Sequence, residues 1–185
     1  MVTLTSPDGH VMVSFAVADI GSEGGGLTYS ISYNGSPVVN QSRLGLMMAG
    51  SADLMRHFES LSVSRSENDS SWVPLYGERN LVPDRFKEMT VTVREAIPPH
   101  RQLMITFRAY NEGAALRYHL PEQNELTEVT IWRECTEFHF PNGCYAYEEH
   151  GTEGEYYRKP VQEIAPDCER PLTVEYPDGK VACLL

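Results

Sequence analysis

The stretch LTYSISYNGSPVV, residues 27–39, decides the fold. Leu27, Tyr29, Ile31 and Tyr33 alternate with Thr28, Ser30 and Ser32, and a period of two puts the first set on one face of an extended strand. Asn34-Gly35 then supplies the positive φ angles of a tight turn, and Val38 and Val39 follow on the returning strand. The segment predicts a β-hairpin.

The same signature recurs along the chain at intervals of roughly ten residues, as in sandwiches and barrels. MTVTVREA (89–96) alternates through Met89, Val91 and Val93, and QLMITFRAY (102–110) follows it after Pro98-Pro99, which predicts an antiparallel pair. RAYNEGAALRYHL (108–120) reads as a strand, a turn at Asn111-Glu112-Gly113 and a return. TEVTIWRECTEFHF (127–140) reads as one long alternating strand ending at Phe138 and Phe140. Helix signals are scarce: Leu54, Met55 and Phe58 in SADLMRHF (51–58) allow a single turn at most. Gly24-Gly25-Gly26 has no following helix and no Lys-Ser/Thr, so it reads as a flexible turn and not a phosphate cradle. The expected architecture is all-β and mostly antiparallel, with about ten or more strands.

Composition bounds the function. A chain of 185 residues with 41% apolar and 22% charged residues fits one domain with a real core, residues 1–185. Fifteen Lys+Arg against 26 Asp+Glu leave a net charge of -11, and no basic stripe appears, which argues against nucleic acid as a partner. No apolar run is long enough to span a bilayer, and the N-terminus has no signal-peptide pattern. Cys135, Cys144, Cys168 and Cys183 form no C-x-x-C pair, so a structural zinc is not expected, and the fold is not read as disulfide-stapled. VACLL (181–185) is a strand-like apolar run with no turn or cap after it, which predicts that the chain is part of a longer polypeptide.

Chemistry-bearing residues gather in YEEHGTEGEYY (147–157). Glu149, His150, Glu155 and Tyr156 are the substrate-side candidates, beside Glu148, Glu153, Tyr147 and Tyr157. Such a loop can bind a sugar by stacking and carboxylate hydrogen bonds, or hold a hard cation by its oxygens. Composition alone favours a solvated acidic loop with partly buried tyrosines. The histidines are scattered and no serine sits in a G-x-S-x-G turn, so no catalytic set is assigned. In SWVPLYGER (71–79), Trp72 and Tyr76 alternate as in a strand, Pro74 suits an edge and Gly77 a bend, with Glu78 expected in an internal ion pair or facing a neighbouring domain.

The ordered motifs SPDG (6–9), LTYSISYNGSPVV, SRLGL (42–46), WVPLYGER (72–79), FRAYNEGAALRY (107–118) and RPLTVEYPDG (170–179) make the chain similar to the N-terminal domain of glycoside hydrolase family 97. The resemblance implies a β-super-sandwich of the galactose-mutarotase type. In the parent enzyme this domain supports a catalytic (β/α)8 barrel, which a small C-terminal β domain follows. Parents in that family are calcium-dependent bacterial α-glucosidases and α-galactosidases that act on α-linked oligosaccharides, in the periplasm or secreted. Their catalytic carboxylates lie in the barrel, and the glutamate that this domain gives to the calcium site is expected just beyond Leu185. No metal ligand is therefore assigned within residues 1–185. A free-standing carbohydrate-binding module, or a mutarotase-like epimerase using a pair such as His150 with Glu78, is the alternative.

Overall fold

The computed structural model describes residues 1–20, 23–124, 126 and 128–185. Four antiparallel strands open the chain: β1 (Val2–Thr5), β2 (Val11–Ile20), β3 (Glu23–Tyr33) and β4 (Ser36–Leu44), hydrogen-bonded in that order. The β3–β4 turn is the expected hairpin, with Asn34 at φ 51° and Gly35 at φ 77°. After β5 (Leu46–Met48), a second sheet is built from β6 (Phe58–Trp72), β7 (Val82–Glu95), β8 (Gln102–Tyr110) and β9 (Gly113–His119), again in sequence order.

These two sheets pack face to face because each alternating strand turns its apolar set inward. Val13 and Phe15 of β2, Leu27 and Tyr29 of β3, Met89, Val91 and Val93 of β7, and Leu103, Ile105 and Phe107 of β8 are all buried in one core. Phe107 stands at its centre, with ring centroids 5.7 Å from Phe15 and 6.5 Å from Tyr29. The same alternation carries Glu95 inward at the end of β7, and the chain meets it with Arg101 at the start of β8. Arg101 makes a bidentate pair with Glu95, Nη2–Oε1 at 2.5 Å and Nε–Oε2 at 2.7 Å, and donates through Nη1 to the Ala52 carbonyl. Both side chains are almost fully buried, so neither charge is left unmatched where it would cost most.

The third part is smaller. β10 (Ile131–Glu134) pairs with β5, and β11 (Tyr145–Glu148), β12 (Tyr157–Pro160), β13 (Leu172–Glu175) and β14 (Val181–Leu184) form a sheet ordered β12-β11-β13-β14. A short 3-10 turn at Val161–Glu163 leaves β12. Cys144, Ala146, Val174 and Tyr176 make the core of this sheet, and Val38 and Phe140 pack against it and against the main core alike. All four cysteines are free thiols. The fold is an antiparallel all-β sandwich, and Val181–Leu184 of the VACLL run forms β14.

Three local expectations are corrected. Gly24, Gly25 and Gly26 lie within β3 and not in a turn; Gly25, at φ 70°, is closed in by the Phe58 backbone, whose nitrogen would stand 2.5 Å from an added Cβ. Ser22, which precedes the triplet, lies outside the described residues. TEVTIWRECTEFHF yields only β10, with Thr127 outside the described residues. Its second half does run beside β4 and Gly45, since Cys135 and Glu137 donate to the carbonyls of Gly45 and Arg43 and the His139 carbonyl accepts the Asn40 N–H, but His139 N–H goes to Ser42 Oγ and no regular strand ladder forms. SWVPLYGER is strand only as far as Trp72; Tyr76 and Glu78 sit in the exposed loop 73–81, and no internal ion pair holds Glu78 among the described residues. The region 51–58 is irregular, within what its sequence allows, and Leu54 bridges to Leu46.

Replacing Phe107 with Ala empties the meeting point of the two sheets, and it should lower the unfolding free energy by about 3–5 kcal/mol. Urea denaturation followed by intrinsic fluorescence measures this, and Phe107→Leu should lose less.

Candidate functional site

Strand register explains how the acidic segment is organised. Ala146 pairs with Lys159 across β11–β12, so Glu148, two residues along, shares a face with Lys159. Ala146 and Glu148 are buried on that face, and Lys159 is half-buried. Glu148 Oε2 lies 2.8 Å from Lys159 Nζ, and Oε1 lies 2.6 Å from His150 Nε2 while accepting the Ala165 N–H at 3.2 Å. His150 Nδ1 faces the Asp167 carbonyl at 3.1 Å. The Lys159 ammonium, seconded by His150, holds the Glu148 carboxyl down at about 2, well below its ordinary 4.5.

The opposite face carries a second closed set. Tyr145 pairs with Glu175 and Tyr147 with Arg158, which gathers the four side chains together. Tyr147 OH donates to Glu175 Oε1 at 2.7 Å, Arg158 Nε to Oε2 at 2.7 Å, and the Arg158 guanidinium lies 3.9 Å over the Tyr145 ring. Hydrogen bonds from Tyr147 and then Arg158 depress the Glu175 carboxyl, and the same contact raises the Tyr147 hydroxyl.

Of the four residues singled out by sequence, two help to tie down the loop and two stand at its rim. Glu149 is buried and its Oε1 accepts the Gly154 N–H at 2.8 Å; Gly154 leaves no room for a Cβ against this carboxylate. His150 is held between Glu148 and Asp167, as above. Glu155 Oε2 accepts the Tyr157 hydroxyl at 2.6 Å, and Tyr156 is exposed beside it. The solvated-loop expectation holds for residues 150–158, which are exposed apart from the half-buried Gly154, and fails at the base, where Glu148 and Glu149 are buried; Glu169 fastens the loop by accepting the N–H groups of Gly151 and Thr152, each at 3.0 Å. Glu148 and Lys159, the pair at the centre, were not among the four. Glu148 was legible from the alternation Tyr145-Ala146-Tyr147-Glu148, which sends it to the side of the small buried Ala146; Lys159 depends on the register of a hairpin whose loop has no short-turn signature.

These groups are built to hold shape. A carboxylate with a pKa of about 2 is a poor proton acceptor at neutral pH, and both of its oxygens already face partners. His150 is engaged with Glu148, while Glu78 belongs to loop 73–81, so the pair suggested for an epimerase has no support. Among the described residues no three His, Cys, Asp or Glu side chains converge on a metal-sized site. The main cleft near the small sheet, about 650 Å³ and lined by Tyr33, Val38, Phe140, Tyr176 and Leu185, includes none of Glu149, His150, Glu155 or Tyr156.

Because Glu148 has a depressed pKa in the folded chain, its contribution is full above its ordinary 4.5 and disappears as pH falls towards 2. The stability difference between the natural chain and Glu148→Gln should therefore be constant from neutral pH to about 5, then shrink towards zero near pH 2. Chemical denaturation across that pH range measures it.

Known proteins with the same architecture define the family. The model described as Glycosyl-hydrolase 97 N-terminal matches residues 4–185. A glycoside hydrolase family 97 enzyme from Pseudoalteromonas sp. strain K8, solved in complex with panose, superposes with a TM-score of 0.87 at 28% identity, covering 96% of this chain and 27% of that enzyme. The same enzyme in complex with acarbose gives the same values. A beta-arabinopyranosidase shares the fold, with a TM-score of 0.82 at 22% identity over 94% of this chain and 29% of its own. The chain thus spans about a quarter of the length of these enzymes, at 27% and 29%. With the family pattern running from residue 4 to residue 185, the chain belongs to the glycosyl-hydrolase 97 N-terminal family.

Proposed function

We propose that this chain is the non-catalytic N-terminal domain, residues 1–185, of a family 97 α-glycosidase, an α-glucosidase or α-galactosidase. It supports the catalytic barrel of the same polypeptide, walls one side of the substrate pocket and adjoins the calcium site. One observation carries the reading: the family pattern fills the chain, yet the chain covers 27% of a family 97 enzyme, which leaves the larger part of the parent for the chemistry. The closed pairings of Glu148, Glu149 and Glu175 support it, since these three carboxylates already have partners and are not free to act as acid or base on a glycosidic bond.

The panose and acarbose complexes of the Pseudoalteromonas enzyme support an α-linked oligosaccharide as the parent's substrate. Calcium is assigned to the parent polypeptide, and no step is routed through it here. The same reading puts the parent in the periplasm or outside the cell.

The purified 185-residue chain should show no hydrolysis of nitrophenyl α-glucoside or α-galactoside, with or without calcium, whereas the parent hydrolyses at least one. Turnover by the 185-residue chain, unaffected by further purification, would overturn the reading.

A further inference from the structure

The β6–β7 ribbon runs on past the sheet that holds it. The last β7–β8 pair is Phe86 with Tyr110, whereas β6 and β7 stay paired through Asp69–Arg85, Ser70–Asp84 and Ser71–Pro83 to Trp72–Val82. An ion pair between Arg85 and Asp69, at 3.2 Å, braces this free length. Beyond it, loop 73–81 puts Val73, Leu75, Tyr76 and Leu81 in solvent, with Leu75 101% and Tyr76 91% exposed, and Trp72 before the loop is exposed as well. Gly77, at φ 125°, makes the bend, and a Cβ there would touch nothing.

Singly scattered apolar side chains on a surface need no explanation, but a projecting tip built from several of them marks a contact. A two-stranded ribbon with no third strand is marginal in water, so a partner at the tip would also stabilise the ribbon. The partner's nature follows from charge and size. A lipid surface recruits basic segments, and this ribbon carries Asp69, Glu78 and Asp84 against Arg79 and Arg85 in a chain of net charge -11. A stable dimer takes about 20–30 residues a side, more than the tip from Trp72 to Val82 offers. A contact within one polypeptide needs far less, because linkage supplies an effective concentration of about millimolar. The enzymes with this fold extend far beyond the matched quarter.

We propose that the segment from Trp72 to Leu81 is a docking peg that seats in an apolar recess on the part of the parent polypeptide outside residues 1–185. The proposal rests on reading the chain as one domain of a larger glycosidase and names the surface by which it is joined. Tyr76 and Leu75 enter the recess, Trp72 covers its edge, and Glu78 and Arg79 meet polar groups at the rim.

Hydrogen–deuterium exchange on the full parent and on the 185-residue chain tests this. The amides of 73–81 should exchange about 100-fold or more slowly in the parent than in the shorter chain. Leu75→Ser with Tyr76→Ser should abolish that protection and lower the melting temperature of the parent, while leaving that of the 185-residue chain unchanged because both side chains lie outside its core. Equal exchange in the two proteins overturns the proposal. So does protection in the shorter chain that grows with its concentration, which assigns the tip to a second copy, or protection that appears only with phosphatidylglycerol vesicles. A parent that protects the tip but hydrolyses no α-glycoside would contradict the proposed function and leave the docking peg standing.

Discussion

The packing of the Phe107 ring against Phe15 and Tyr29 is the contact on which the remaining structure depends. It joins the two large sheets, and through Tyr29 it reaches a third element: the Tyr29 hydroxyl donates to the Glu137 carbonyl at 2.7 Å and its ring meets Phe138 edge-on at 6.2 Å. Two residues further, Phe140 meets Tyr176 at 6.5 Å, and Tyr176 OH donates to the Val38 carbonyl at 2.9 Å. This line of aromatic contacts carries the position of the main core into the small β11–β14 sheet. Burial raises the pKa values of the Tyr29 and Tyr176 hydroxyls, so both remain neutral donors to the carbonyls they hold.

From that placement the acidic segment acquires its order. A β-strand has two faces, and β11 uses one for Glu148 with Lys159 and His150 and the other for Tyr145 and Tyr147 with Arg158 and Glu175. Within a segment that reads as a run of negative charge, Glu148 is thereby matched by Lys159 and His150 on one face, while Arg158 of the neighbouring strand matches Glu175 on the other. Chemical residues held in this way serve as a frame, which fits a domain that supports a catalytic partner.

The fold was largely legible because alternation and turn chemistry are local. Asn34-Gly35 demanded its turn, and the strands around Phe107 alternate without a break. The failures are tertiary. Nothing local shows that the Phe58 backbone presses on Gly25, and the correct alternation at 135–140 concealed a ladder broken by the Ser42 hydroxyl. The site was half legible: Glu149 and His150 stand out by type, but Lys159 joins Glu148 only through a register set across the intervening loop. Trp72 and Tyr76 look like neighbours on a strand, and only the hairpin's geometry shows that the second of them projects from a loop at its tip.

The proposed function requires the Glu148, Lys159 and His150 cluster to hold structure and to take no part in the parent's chemistry. Glu148→Gln in the full parent enzyme tests it most directly, with kcat/KM per folded molecule and the melting temperature measured on the same sample at neutral pH. The expected result is a lower melting temperature with kcat/KM unchanged. A large loss of kcat/KM at an unaltered melting temperature would contradict it.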